Sequence, residues 1–340
     1  MNIVVTGGGT GGHLVIAKSL GIELKKRGID AIFIGSLNGQ DKFWFENSDI
    51  FLKTYFLKSS GVVNKKGFSK IKSILNILKL SFECKKIFKD FNVKAVISVG
   101  GYSAAAASFG AFMSRLPLFI HEQNAQIGKL NKILKPFSKA FYSSYYKPFF
   151  PYPIRDEFFN KSRIRKELKK ILFLGGSGGA KFINDLALNL AKNLNQNNIK
   201  IIHQSGLKDY DRVCEFYSKN NIQADVFAFS DELANKMQKA DLCISRSGAS
   251  SLWELCANGL PSIFIPFPFA ANDHQFLNAK FLKDQNLSKI FRQENINESK
   301  ILDEILNYDL ENISLGLMKI SNKNGAKTII DDILNHINFK

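Results

Sequence analysis

Apolar residues recur along the chain in short runs, each followed by a stretch of helical periodicity. In the first half the runs fall at 2–6, 31–35, 51–56, 95–99, 118–122 and 140–142. In the second half they fall at 170–174, 199–203, 225–228, 242–245, 262–266 and 289–291. Short apolar runs bounded by turn residues predict strands buried on both faces, and their alternation with helices predicts an α/β fold with parallel sheets. Residues 147–157 bring Pro148, Pro151 and Pro153 together ahead of a charged stretch, 161–170, so the interdomain linker is placed there. The expected domains are 1–155 and 156–323. A closing stripe of Ile329, Ile330, Ile333, Leu334 and Ile337 predicts a last helix over about 324–340 that packs back on the first domain. Each half also opens with a strand that runs through a glycine-rich turn into a helix, at 3–13 and 171–180. Two Rossmann-like domains facing each other across a cleft are expected, because ligands of open α/β sheets bind beyond the carboxyl ends of the strands.

Composition narrows the class. The 340 residues are 45% hydrophobic and 23% charged, which fits a folded globular protein and excludes disorder as the main state. The start lacks a basic n-region, and the apolar stretch 260–271 is broken by Pro261, Pro266 and Pro268, so neither a secretory signal nor a membrane span is expected. Cys84, Cys214, Cys243 and Cys256 have no paired spacing and read as reduced thiols of a cytosolic protein. The net charge of +17 is uneven: residues 1–160 hold 23 basic against 10 acidic side chains, the remainder 24 against 20. A basic first half suits nucleic acid, an anionic membrane surface or a phosphorylated substrate.

Both glycine turns place backbone N–H groups at a helix start, where an anion is favoured. Gly7, Gly9 and Gly12 satisfy GxGxxG, but the second strand ends in Gly35-Ser36 with no carboxylate for a ribose, which argues against NAD. His13 follows Gly12 where a P-loop needs Lys, which argues against an ordinary kinase or ATPase. Two roles are open for His13: a hydrogen-bonded helix-start residue, or a general base for a substrate hydroxyl. His121-Glu122-Gln123-Asn124 ends one buried strand as either a solvated loop or a site wall, with Glu122 the alternative base, and Gly100-Gly101-Tyr102-Ser103 ends another. In the second half Ser250 or Ser251 could begin a helix that carries Glu254, which is then either a capping-box carboxylate or an acceptor for ribose hydroxyls. Asn272-Asp273-His274-Gln275 opens a further helix with groups suited to sugar hydroxyls. Asp209-Tyr210-Asp211 has the DxD form of metal-dependent transferases, yet it precedes a helical pattern and reads as a helix N-terminus; no metal is expected.

Taken in order, GGTGGH, GGY, HEQN, PIR, GGSxGA, RSGA with its downstream Glu, and DHQxxNA resemble the MurG family of two-domain GT-B glycosyltransferases over nearly the whole chain. The resemblance implies an inverting transfer of GlcNAc from UDP-GlcNAc, as donor substrate and with no cofactor, to the 4-hydroxyl of a lipid-linked muramyl-pentapeptide in peptidoglycan synthesis. It implies that Ser177 contacts the UDP phosphates, Arg155 neutralises their charge, Glu254 meets the ribose and Ser230 presents backbone to uracil. Ala249, Ser250, Ser251, His274 and Gln275 would complete the donor side. Thr10, Gly11, Gly12 and Asn124 would face the donor from the other domain, and Gly9, Tyr102, Ser103 and His121 would meet the acceptor. Gly178 stands where the family usually has Gln, and Tyr152 where Asn often precedes the Pro-x-Arg element. A related glycolipid transferase or a sugar-nucleotide epimerase is the alternative among enzymes, and a basic nucleic-acid-binding protein the alternative outside them; nucleic acid is not expected, because no RNP or zinc-finger pattern occurs.

The acceptor's polyprenyl tail gives the basic half a location. Between residues 58 and 94, Lys65, Lys66, Lys70, Lys72, Lys79, Lys85, Lys86 and Lys89 oppose only Glu83 and Asp90, while apolar residues cover more than one helical face. A peripheral protein on the cytoplasmic side of the bacterial inner membrane is expected, docked on an anionic membrane surface through residues 60–90, with cell-wall synthesis or division proteins as candidate partners.

Overall fold

Each apolar run forms a strand whose ends lie within two residues of those expected. The computed structural model describes residues 1–61, 66–176 and 179–337, and among these twelve strands build two six-stranded sheets. Two compact units result: Met1–Pro153 joined by the terminal segment from Asn324, and Ile154–Lys323.

The first unit runs β1 (Asn2–Thr6), α1 (Gly11–Lys26), β2 (Asp30–Ser36), α2 (Asp41–Phe45), β3 (Lys53–Leu57) and α3 (Gly67–Asp90). It continues through β4 (Val93–Ser98), α4 (Ala105–Met113), β5 (Leu118–His121), α5 (Lys129–Leu134) and β6 (Ala140–Tyr142). Its strand order is β3-β2-β1-β4-β5-β6, all pairs parallel. The order reverses between β1 and β4, which opens the crevice where such sheets bind ligands. Ile3, Val4 and Val5 on β1 and Ile32, Phe33 and Ile34 on β2 are fully buried, as strands covered by helices on both faces require.

The second unit begins with α6 (Asp156–Asn160), β7 (Lys170–Leu174), α7 (Lys181–Gln196), β8 (Lys200–Gln204), α8 (Tyr210–Lys219), β9 (Ala224–Phe227) and α9 (Leu233–Lys239). It ends with β10 (Leu242–Ser245), α10 (Ala249–Ala257), β11 (Ser262–Phe264), α11 (His274–Asp284), β12 (Lys289–Ile290), α12 (Glu298–Leu306) and α13 (Leu310–Ile320). Its order, β12-β11-β10-β7-β8-β9, repeats that of the first sheet, with the reversal between β7 and β10. The last helix, α14 (Gly325–His336), packs on α1 with Ile329, Ile330 and Ile333 inward. Arg27 pairs with Asp331 at 2.6 Å, and the Tyr142 hydroxyl donates to Asp332 at 2.8 Å, which ties α14 to both α1 and β6.

Helix α3 has two apolar stripes. Ile77, Leu80, Cys84 and Phe88 face the core, while Phe68, Ile71, Leu75, Leu78 and Phe82 face solvent, Phe68 at 83% and Phe82 at 60% exposure. Lys66, Lys70, Lys72, Lys79, Lys85, Lys86 and Lys89 are exposed beside the outer stripe, and Lys65 lies outside the described residues. No helix among the described residues is long and apolar enough to cross a membrane.

Candidate active site

In the first unit the chain leaves β1 at Thr6 and must turn sharply to start α1. Gly7 (φ +126°) and Gly9 (φ +84°) make that turn in conformations other residues adopt only with strain. Gly8 N–H donates to Gly100 O at 3.2 Å, and the Tyr102 ring lies against Gly9 while its hydroxyl donates to Asn38 O at 2.5 Å. Thr10 is the N-cap of α1. Its carbonyl accepts from the amides of His13 and Leu14, but its side chain caps nothing; Thr10 Oγ1 lies 2.8 Å from His13 Nδ1. The imidazole of His13 is therefore oriented from within its own loop, and Gly11 and Gly12 supply the first amides of the helix.

At the end of β5, His121 is buried and its Nδ1 meets no partner among the described residues. Burial, and then the neighbouring His13, push its pKa down to about 3, so it is a neutral imidazole. Glu122 is 2% exposed, with Oε1 accepting from the Asn124 amide at 3.0 Å and Oε2 from the Gly128 amide and Asn131 Nδ2, both at 2.9 Å. Burial raises its pKa while these donors lower it. Both oxygens are committed to shaping the 122–131 loop, and Asn124 is placed by that bond. Ser103 is buried beside Asp41, a residue that sequence patterns did not single out.

In the second unit β7 ends at Leu174 and the chain turns through Gly175 and Gly176 (φ +78°) to Gly179 (φ +73°), with Ala180 the N-cap of α7. Ser177 and Gly178 lie outside the described residues. A cavity of about 510 Å³ opens at this turn, lined among others by Gly176, Lys181, Arg246, Ser251, Phe267 and Gln275. That volume lies in the range of small-ligand sites. Arg246 donates to Ile265 O and Pro266 O, both at 3.0 Å, and to Gln293 Oε1 at 2.8 Å; burial lowers its pKa to about 10, so it stays charged. Arg246 is the Arg of the RSGA element that follows the buried strand β10. Gln275 Oε1 accepts from the Phe267 amide at 2.9 Å, and His274 Nδ1 lies 2.9 Å from Ala271 O. Ser230 Oγ accepts from the Glu232 amide at 3.0 Å in the turn after β9.

Helix α10 begins at Ala249 with Gly248 as its N-cap, not at Ser250 or Ser251. This corrects one of the two roles open for Glu254: the side chain sits a full turn too late for a capping box. Ala249 and Ser250 are buried in its first turn and Ser251 lines the cavity. Glu254 is 6% exposed. Burial pushes its pKa up to about 7, against the pull of nearby Arg155. Arg155, the N-cap of α6, pairs with Glu157 at 2.7 Å over the Phe158 ring. Asp209 accepts from Arg212 and from Asn184, and Asp211 lies in the first turn of α8, so the DxD stretch opens a helix. Among the described residues no cluster of three His, Cys, Asp or Glu could hold a metal.

Two larger depressions, about 880 and 690 Å³, lie on the first unit away from its glycine turn, one beside Lys94 and Lys139, the other beside Lys18 and Trp44. Neither sits at the carboxyl ends of strands, where the ligand chemistry of this fold resides, so size alone does not mark the site.

The glycosyltransferase family 28 N-terminal domain matches residues 3–143 and the family 28 C-terminal domain residues 170–333. A Campylobacter fetus protein named UDP-N-acetylglucosamine–N-acetylmuramyl-(pentapeptide) pyrophosphoryl-undecaprenol N-acetylglucosamine transferase is 60% identical over 98% of this chain and 99% of its own length. A Campylobacter hominis protein of the same name is 56% identical over 99% and 98%. The crystal structure of Acinetobacter baumannii MurG superposes with a TM-score of 0.80 at 25% identity, covering 98% of this chain and 99% of that one. Matches to both domain models, near-complete coverage at this identity and two sheets of the same order leave one conclusion: the chain belongs to glycosyltransferase family 28 and, within it, to the UDP-N-acetylglucosamine–N-acetylmuramyl-(pentapeptide) pyrophosphoryl-undecaprenol N-acetylglucosamine transferases, the MurG family.

Proposed function

We propose that this enzyme transfers GlcNAc from UDP-GlcNAc to the 4-hydroxyl of undecaprenyl-pyrophosphoryl-MurNAc-pentapeptide, with inversion at the anomeric carbon. The observation that carries this is the pair of glycine turns, each after the first strand of its own sheet, one leading into an imidazole and the other accompanied in its unit by a nearly buried carboxylate. His13 takes the proton of the attacking hydroxyl through Nε2, with its Nδ1 held 2.8 Å from Thr10 Oγ1. Glu122, with both oxygens committed, shapes the acceptor-side loop with His121 and Asn124. UDP leaves into a field of fixed N–H dipoles at the second turn, with Arg246 and Arg155 adding charge; that preorganised positive field replaces a metal. Ser177, Ser230, Ala249, Ser250, Ser251, His274 and Gln275 complete donor binding, and Gly9, Tyr102 and Ser103 acceptor binding. The purified chain should release UDP from UDP-GlcNAc with a lipid-linked muramyl acceptor, in the presence of EDTA. Release no faster than in buffer would overturn this function.

Glu254 then accepts from both ribose hydroxyls, and its chemistry gives a pH signature. Without nucleotide its pKa of about 7 lies above the usual 4.5, so below pH 7 the carboxyl carries a proton that nucleotide binding must expel. UDP affinity should weaken as pH falls through about 7. The sign for folding is the reverse: this group's contribution is fully present below about 4.5 and is lost as pH rises through about 7. Glu254→Ala should weaken UDP binding about 10- to 100-fold, and Glu254→Gln should also flatten the pH dependence relative to wild type. Calorimetric titration across pH 5.5 to 8.5, roughly one and a half units either side of that pKa, reads both; unchanged affinity in both variants would reduce Glu254 to a packing residue.

The outer stripe of α3 supports a peripheral position on the cytoplasmic face of the inner membrane, where the polyprenyl tail of the acceptor lies. Exposed Phe68, Ile71, Leu75 and Phe82 would enter the headgroup region while the flanking lysines meet anionic lipid, each contributing about 1 kcal/mol, screened by salt. Replacing Lys66, Lys70 and Lys72 by Glu should abolish co-sedimentation with vesicles containing anionic lipid and leave UDP binding intact. Undiminished sedimentation would move the contact elsewhere.

A further inference from the structure

A carboxylate lies buried beneath the glycine turn that leads through Thr10 into His13 at the start of α1. Asp41, the first residue of α2, is fully enclosed; its Oδ1 accepts from the Gly9 amide at 2.5 Å and its Oδ2 from the Ser36 amide at 2.8 Å. Glycines make room for it: a Cβ on Gly8 would lie 2.5 Å from Oδ1, and one on Gly35 would lie 2.9 Å from Oδ2. Burial raises the Asp41 pKa while the two amides lower it. A charge in such a place is costly unless fixed donors offset it, and starting a short helix does not require the carboxylate to be buried. Its two bonds instead run across the chain, from α2 to the β1–α1 turn and to the end of β2. On the opposite side the turn is closed by Gly100 O and by Tyr102, whose hydroxyl reaches Asn38 O just ahead of α2. The Gly9 amide that Asp41 holds is one residue before Thr10, and Thr10 Oγ1 orients His13 Nδ1 at 2.8 Å.

We propose that Asp41 is a positioning residue for the transfer: by holding the Gly9 amide it fixes Thr10 and, through Thr10, the imidazole of His13. The proposal rests on His13 as the base. A glycine-rich turn without this anchor samples many backbone conformations, and a displacement of about 1 Å at a catalytic group can cost about 10² in rate. Asp41→Asn keeps the shape and one acceptor but turns an amide NH₂ toward one of the two backbone N–H groups. It should lower kcat about 10- to 100-fold and leave the Kd for UDP within about twofold.

The distinguishing measurement is a double-mutant cycle. In a His13→Ala background Asp41→Asn should change kcat by less than about twofold, because the group it positions is gone, whereas a general loss of folded protein would appear in both backgrounds alike. An unchanged kcat in Asp41→Asn beside a large loss in His13→Ala overturns this proposal alone. An equal factor lost in both backgrounds, or a matching loss of UDP affinity, overturns it too. Full activity of His13→Ala overturns the base assignment and this proposal with it. Should Asp41→Asn fail to fold, Gly8→Ala displaces the carboxylate without altering it. A kcat loss seen only with His13 present then supports the proposal, and an unaltered kcat overturns it.

Discussion

His13→Ala lowers kcat by about 10² to 10⁴ while the Kd for UDP stays within about twofold, the pattern of a group that acts in the transition state and not on the bound nucleotide. The size follows from the role: the attacking sugar hydroxyl is a poor nucleophile until its proton is taken, and positioned general bases contribute factors of this order. The split between kcat and UDP affinity follows from placement, since His13 lies in the first turn of α1 in the first unit, whereas the cavity at Gly176, Arg246 and Gln275 belongs to the second. Steady-state turnover with saturating UDP-GlcNAc and acceptor, paired with calorimetric UDP titration, reads both quantities. A loss of UDP affinity equal to the loss in turnover would make His13 a donor contact, and full turnover would return the base role to Glu122. That second outcome would require Glu122 to release at least one of the three donors that now hold its oxygens.

Most of what forms the two sheets is a local pattern. Runs such as Ile171-Leu172-Phe173-Leu174 are apolar without alternation because helices cover both faces of a parallel sheet, and glycine turns mark where the chain must reverse. His13 and Glu254 were visible for the same reason: each follows a turn at the end of a buried strand. What was hidden depends on distant partners. Asp41 stands between Gln40 and Lys42 and reads as an ordinary acidic helix start; it is buried only because the amides of Gly9 and Ser36 come from other elements. The outer stripe of α3 was legible as excess apolar content, but which residues face inward was set by α4, against which α3 packs. Glu254 remained ambiguous because the start of α10, one residue before the serines, decides whether a capping box exists.

Arg165 is the largest departure, and it carries the second large expectation: Arg165→Met lowers the stability of the folded protein by about 3 kcal/mol. The stretch 161–170 is highly charged and follows the proline-rich linker, yet the Arg165 side chain is fully buried. Its Nη1 donates to Arg163 O at 2.6 Å and to Asn258 O, its Nη2 to Met237 O at 3.1 Å and Asn258 Oδ1 at 2.5 Å, and its Nε to Ala240 O at 3.3 Å. Burial, with Arg163 nearby, lowers its pKa to about 9, because the enclosed site disfavours the charge. Two effects therefore compete. Methionine removes a desolvated cation, which alone would stabilise, but it leaves Arg163 O, Asn258 O and Asn258 Oδ1 without donors in a space closed to water, while Ala240 O keeps Arg163 Nη2 and Met237 O keeps the Ala240 amide. Each orphaned acceptor costs about 1 to 3 kcal/mol, so the acceptors outweigh the relief of removing one charge. The damage should also reach the donor site. Asn258 caps α10, and its Nδ2 donates to Phe158 O and Lys161 O, so losing the guanidinium loosens the helix that carries Glu254. Urea unfolding followed by circular dichroism should show a lower midpoint, and UDP titration of the remaining folded protein a weaker Kd. A midpoint equal to wild type would mean that the five carbonyl contacts contribute nothing net.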